Sequence, residues 1–182
     1  MTAANNDGAG EAAAAGVNQA SWQLDPTQSS VRIKHKTIWG LQTVRGSFGQ
    51  VSGSGEILPD GSGRGRLEIG AASLETKNRQ RDKHLRSADF FHAAEHPHIV
   101  VDLSRITRQG DSAAAEGTLN VAGRTRPLAV NARVAENSDG TITLTADTEI
   151  NRADFGMTWN QLGMIRGNAQ VSVVARFVPS AS

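Results

Sequence analysis

The chain has 182 residues, 38% of them hydrophobic and only 4% aromatic, and its 20% charged residues balance to a net charge of +1. That length fits one domain with a sizeable core, and the balanced charge argues against a dedicated nucleic-acid or polyanion surface. The absence of cysteine excludes disulfides, thiolate metal sites and a cysteine nucleophile.

Residues 1–20 are rich in Ala, Asn and Gly and lack the basic start and apolar run of a signal peptide. Their composition predicts a disordered lead-in, and the chain reads as cytoplasmic. No apolar stretch approaches the ~20 residues that a membrane-spanning helix needs.

Strand periodicity dominates from there. Val31, Ile33 and His35 share one face, with Arg32, Lys34 and Lys36 on the other. The glycine-rich run from Gly53 to Gly65 reads as strand ends and a turn, since it lacks the phosphate-loop pattern and any βαβ setting. Leu67 and Ile69 alternate with Arg66 and Glu68.

The alternation stops at Arg81-Asp82-Lys83-His84-Leu85-Arg86-Ser87-Ala88-Asp89-Phe90-Phe91. Asp82 is placed to cap a helical turn from Lys83 to Arg86, and Ser87 a second turn running to about Glu95. Pro97 disfavours helical geometry at His96 and closes the segment. Leu85, Ala88 and Phe91 fall on one face, so this short helix should lie across an apolar surface.

Strands then resume. Leu128, Val130, Ala132 and Val134 form one parity, Ile142, Leu144, Ala146, Thr148 and Ile150 another, and Val171, Val173, Ala175 and Phe177 a last one. Half-buried strands of this kind argue for an antiparallel sheet with one dry face. Turn signals separate them at Pro59-Asp60-Gly61, Gln109-Gly110-Asp111, Ala122-Gly123 and Asp139-Gly140. About eight strands joined by short turns suggest a barrel, which leaves no edge exposed. Such a barrel can be filled by its own side chains or can hold one ligand. The inward parities are mostly small and branched aliphatics, which suits a long, narrow lumen, but the pattern alone does not choose between the two.

Two clusters invite a chemical reading. His92-Ala93-Ala94-Glu95-His96 matches the HxxEH pattern of one class of zinc peptidases. That chemistry needs both histidines on a stable helix, and Pro97 ends the segment at once, so surface histidines without a metal are the preferred reading. Asp82 and His84 could form an acid/base pair, but no nucleophile or oxyanion donor accompanies them. A structural role is preferred, with Asp82 capping, Arg81 pairing with a carboxylate and His84 bonding backbone across a loop. Arg152 and Asp154 are read in the same way, bonding strand-end carbonyls and amides. Arg79, Arg81, Lys83 and Arg86 either hold an anionic or polar head group at a barrel mouth or form a solvated face balanced by Asp82 and Asp89.

The 81–91 block resembles the signature of the YceI family of lipid-binding β-barrels, and further motifs follow in the family's order. They are Trp22-Gln23-Leu24-Asp25-Pro26, Ser29 to His35, Val44-Arg45-Gly46-Ser47-Phe48, Ala72 to Thr76, Gly117 to Pro127, and Asn151-Arg152-Ala153-Asp154-Phe155-Gly156. The His35–Gly46 connection, with Trp39-Gly40, is longer than in many relatives. The resemblance covers residues 21–179. It implies an all-β, eight-stranded antiparallel lipocalin-like barrel with a short helical segment near 80–96. It also implies a binder of a long-chain isoprenoid or related lipid (a polyisoprenoid, an isoprenoid quinone or a fatty amide) for storage or transport. No cofactor, metal, nucleic acid or membrane span enters this reading, and a homodimer is compatible with it.

The lumen is expected to be lined by Val31, Ile33, Leu67, Ile69, Leu128, Val130, Ile142, Leu144, Val171 and Val173. Phe90, Phe91 and Phe155 should close an end, and Arg81, His84, Arg86 and Arg152 are the head-group candidates. Two alternatives stay in view: an enzyme using the barrel as a hydrophobic reaction chamber, and a stress-related structural module with a packed lumen.

Overall fold

The computed structural model describes residues 20–37, 41–165 and 167–180. The expected lead-in, residues 1–20, therefore lies almost wholly outside the described residues, as do Trp39 and Gly40. The strands are β1 (Ser21–Leu24), β2 (Ser30–Thr37), β3 (Gln42–Phe48), β4 (Val51–Ile57), β5 (Gly63–Gly70), β6 (Leu74–Glu75), β7 (His98–Gln109), β8 (Ser112–Val121), β9 (Arg124–Glu136), β10 (Ile142–Ile150) and β11 (Ala169–Pro179). Among the described residues a single α-helix, α1 (Arg79–Arg86), interrupts them. No helix among the described residues is long and apolar enough to cross a membrane.

Every strand pairing is antiparallel, and the sheet closes because β1 pairs with both β4 and β11. The strands combine into a closed eight-stranded barrel. β1 and β2 act as two halves of one stave: β1 takes the Phe177–Pro179 end of β11, and β2 takes Gln170–Val174. Their joint is fastened by Asp25 N–H donating to the Arg176 carbonyl (2.8 Å) and Arg176 N–H donating to Ser29 Oγ (3.0 Å). β3 and β4 are likewise one stave bent at Gly49-Gln50. There Gly49 N–H donates to the Ser73 carbonyl (3.2 Å) and Gln50 N–H to Ser73 Oγ (3.0 Å).

Turn chemistry sets the hairpins. Val121 and Arg124 pair directly across Ala122-Gly123, whose φ values are 49° and 75°. Both lie in the left-handed region that a tight two-residue hairpin requires. Aspartates shape three other turns: Asp25, Asp60 and Asp139 each accept from the backbone N–H and hydroxyl of the Thr or Ser two residues on. Those bonds, led by the hydroxyl, hold all three carboxyls below their ordinary value.

The helical block departs from the sequence reading. The helix begins at Arg79 and its N-cap is Asn78, whose side chain accepts from Arg81 N–H. Asp82 lies inside the helix, buried, where Oδ1 accepts from Thr76 N–H (2.9 Å) and Thr76 Oγ1 (2.5 Å). It anchors α1 to the end of β6 instead of capping it. The second helical turn does not form: Ser87 is the C-cap, residues 88–96 run through successive turns, and His92 has φ 47°. Leu85 and Phe91 pack against the core, while Ala88 is exposed. That core gathers Val31, Phe48, Ile69, Leu74, Phe90, Ile99, Leu119, Val121, Phe155 and Met157.

Candidate functional site

Alternating parity places one side chain in two on the inner wall of each stave, and the inner wall encloses a cavity of about 560 Å³. That is within the range of pockets that take drug-sized ligands. β2 contributes Val31 and Ile33, β5 contributes Leu67 and Ile69, and β9 contributes Leu128 and Val130. Between β9 and β2 stand Ile142 and Leu144 from β10 and Val171 and Val173 from β11. In-register pairs such as Leu144 with Ala175 and Ala146 with Val173 keep each β10–β11 rung on one face.

One end of the lumen is capped by α1, the turns after it, and the 3₁₀ turn Arg152–Phe155 with the segment that follows. Phe90, Phe91 and Phe155 all reach the cavity from this cap. The plug is aromatic: His84 stands edge-on to Phe90 (centroids 5.1 Å) and to Trp159 (4.5 Å), and Phe91 meets Phe48 at 6.0 Å. Trp159, Met157 and Ile165 also line the cavity. They lay in a segment without strand alternation, and the sequence reading passed over them; the only local signal was an aromatic residue soon after Phe155-Gly156.

The head-group candidates do not converge. Arg81 borders the cavity, but its guanidinium donates to Thr76 Oγ1 (2.7 Å) and the Thr76 carbonyl (2.8 Å), not to a carboxylate. His84 borders it too, with Nε2 3.0 Å from Asp89 Oδ2 and no backbone partner across a loop. Arg86 points elsewhere and donates to the Leu74 carbonyl at 2.9 Å. Arg152 lines the cavity, and its Nη1 donates to the carbonyls of Met157 (2.8 Å) and Trp159 (2.7 Å). Its burial lowers the pKa from the ordinary arginine value, although a guanidinium stays charged.

On the inward parity of β2, His35 follows the aliphatics Val31 and Ile33 and precedes Thr37. It lines the cavity, and its buried Nε2 has no hydrogen-bond partner among the described residues. Burial pushes its pKa below the ordinary value and the charge of Arg152 pushes it further, with the Asn168 backbone acting in the opposite direction.

The far end of the barrel differs in kind. Arg64, Arg66 and Arg108 border that end, and each is paired: Arg64 with Glu56 and Arg66 with Asp102 and Glu68 on the outward parity of β5, and Arg108 with Glu136. His92, Glu95 and His96 bring three donor atoms within 4.8 Å of one another outside the lumen lining. Such a set could hold a metal, but the left-handed His92 takes it off the helix that HxxEH peptidase chemistry requires.

A family model described as a YceI-like domain matches residues 22–177. Among curated relatives, a UPF0312 protein from Pseudomonas aeruginosa is 32% identical over 111 residues, which is 59% of this chain and 56% of the relative. Protein YceI from Escherichia coli O157:H7 is 34% identical over 73 residues, 40% of this chain and 38% of the relative. The chain thus spans about half the length or less of these curated relatives. Among solved structures, Burkholderia cenocepacia BcnA superposes with a TM-score of 0.76 at 20% identity, covering 84% of this chain and 98% of BcnA. A polyisoprenoid-binding domain from Saccharophagus degradans, implicated in plant cell wall breakdown, gives 0.69 at 18% identity, covering 87% and 98%.

Proposed function

The chain belongs to the YceI-like family, and from that premise we propose that it binds one long apolar lipid in its lumen, for storage or transport. The observation that carries this reading is the unfilled cavity of about 560 Å³ walled by aliphatic side chains. The lipid is a polyisoprenoid, an isoprenoid quinone or a fatty amide. A polyisoprenoid stands first, a choice supported by the similar barrel from Saccharophagus degradans, which is a polyisoprenoid-binding domain.

Each methylene sheltered from water contributes about 0.8 kcal/mol, so a long prenyl chain needs a dry host. A carrier has only to offer a lumen about as dry as a membrane, at a tolerable entropy loss. Apolar walls read chain length and branching weakly, so selectivity belongs to the head-group end. No chemistry is required of the barrel: Asp82 is engaged by Thr76, and His84 rests on Asp89. The cytoplasm is the proposed compartment, which cell fractionation tests.

The first test is organic extraction of the natively purified protein followed by mass spectrometry, with Leu144→Trp as the blocked control. A stoichiometric prenyl lipid, quinone or fatty amide that is missing from the control is the expected result. An empty extract, together with no uptake of added polyprenyl phosphate, quinone or fatty amide, would overturn the proposal and favour a module whose lumen has no cargo.

A further inference from the structure

The segment that joins α1 to β7 carries side chains that the lumen does not use. His92, Glu95 and His96 each offer one donor atom, and those three atoms lie within 4.8 Å of one another. Among the described residues no other three His, Asp or Glu side chains meet that condition. The backbone brings them together: the His92 carbonyl accepts from His96 N–H (2.8 Å) and from Glu95 N–H (3.1 Å). One turn thus sets positions i, i+3 and i+4 on the same side, the relation by which helical histidines share a metal. Its start is held, with His92 N–H donating to the Ser87 carbonyl (2.9 Å) and Ala93 N–H to the Arg86 carbonyl (3.0 Å). Its end is held by the β8–β9 hairpin: a Cβ on Gly123 would come within 2.6 Å of the His96 ring, so that imidazole lies directly on the glycine.

The spacing suits a shared ion. Histidine nitrogen and carboxylate oxygen bind zinc at about 2.0–2.2 Å, which sets two ligands of one tetrahedral ion about 3.4 Å apart. His92 Nε2 and Glu95 Oε1 are 3.6 Å apart, too far for a hydrogen bond and close to that separation. Glu95 is exposed and both histidines are half-buried, so an ion can reach all three from solvent. We propose that His92, Glu95 and His96 form a surface site for one divalent transition ion of the zinc class, with water completing its shell. Two imidazoles and one carboxylate favour that class over magnesium or calcium, which take oxygen ligands. Pro97 counted against a metal in the sequence because it ends the helix, yet one isolated turn needs no helix beyond it. The site stands whether or not the lumen carries a lipid. Phe90 and Phe91 immediately precede the turn and reach the cavity, so an ion fastening the turn also fastens the chain that carries them.

The experiment titrates the full chain, free of any polyhistidine tag, with zinc chloride by calorimetry, and with magnesium chloride for comparison. His92→Gly removes one ligand at a left-handed position (φ 47°) that glycine adopts freely. Glu95→Gln changes an exposed side chain and keeps the test open if the first variant folds poorly. One zinc per chain is expected, and magnesium should give no saturable heat. Each variant should weaken zinc at least as much as losing a supporting contact does, about 10–100-fold, while His98→Ala, exposed at the start of β7, should leave it unchanged. Zinc should also raise the Tm of the wild-type chain as its concentration rises, and not that of His92→Gly. No saturable uptake of zinc at millimolar concentration would overturn the proposal. Binding that survives both substitutions, or is lost equally in His98→Ala, would overturn the assignment to this turn. A loss in His92→Gly alone would remove Glu95 and with it the three-ligand set. Magnesium held as tightly as zinc would overturn the ion class.

Discussion

His35 is the one side chain on the inner parity of β2 that has a polar ring, and its surroundings make it titrate unusually. Burial, reinforced by Arg152, sets its folded pKa below the ordinary 6.5, with the Asn168 backbone only partly opposing. The unfolded chain therefore takes up a proton as pH drops through about 6.5, while the folded barrel does so only at lower pH. Stability should fall across that window, because protonation favours the unfolded state there. Thermal melts from about pH 7.5 down to about pH 5 should show a shallower decline for His35→Leu than for the wild-type chain. At the alkaline end the variant should be at least as stable, since an unpaired buried polar atom costs about 1–3 kcal/mol. Parallel melting curves, or a variant weaker at every pH, would mean that Nε2 is satisfied within the fold. The inward position of His35 was legible from its place after Val31 and Ile33. Its unusual titration was not, because part of it depends on the charge of Arg152, which lies more than a hundred residues along the chain.

Elements were legible where one physical rule dominated. Strict alternation identified the inner faces of β2, β5, β9, β10 and β11, because a strand with one dry wall tolerates no other pattern. Asp-Gly and Ala-Gly pairs marked the turns for the same local reason. The joints within staves were not legible, since they depend on contacts such as Ser29 Oγ to Arg176 N–H between distant segments. The start of α1 was misplaced because Asn78 and Asp82 are both good caps, and the choice was made by Thr76, which takes the Asp82 carboxylate for itself. The same dependence on tertiary context governs Gly117. It faces Leu103 across the β7–β8 ladder, beside a register shift between Leu103 and Arg105. A Cβ there would lie 1.9 Å from the Asp102 carbonyl oxygen, so the two strands can approach only over a glycine. Gly117→Ala should destabilise at or above the upper end of the about 1–3 kcal/mol typical of overpacking, read as a lowered urea midpoint. A loss under about 0.5 kcal/mol, the level of an ordinary surface change, would show that the ladder can open there without strain.

At the scale of the whole molecule, a barrel that keeps a dry void gives up packing that a filled core would have. The lining atoms on either side of the cavity lack contact partners, and a chain of methylenes would supply them. Ligand and side chain are then interchangeable fillers, which leads to a prediction about Leu144→Trp that separates a lumen from a core. In a close-packed interior an added indole forces neighbours out of place and costs about 1–3 kcal/mol. In a cavity of about 560 Å³ it enters empty space. The ligand-free variant should therefore melt no lower than the wild-type chain. Saturating farnesol, at a hundred times its Kd, should stabilise the wild-type protein by about 2.7 kcal/mol. For a chain of this size that raises its Tm by about 5–10 °C. The same addition should move the variant little, because the indole already occupies the space. A variant that melts markedly lower and still responds to farnesol would place Leu144 in a packed wall and the lipid elsewhere. One that melts normally and ignores farnesol would locate the occupant inside the barrel.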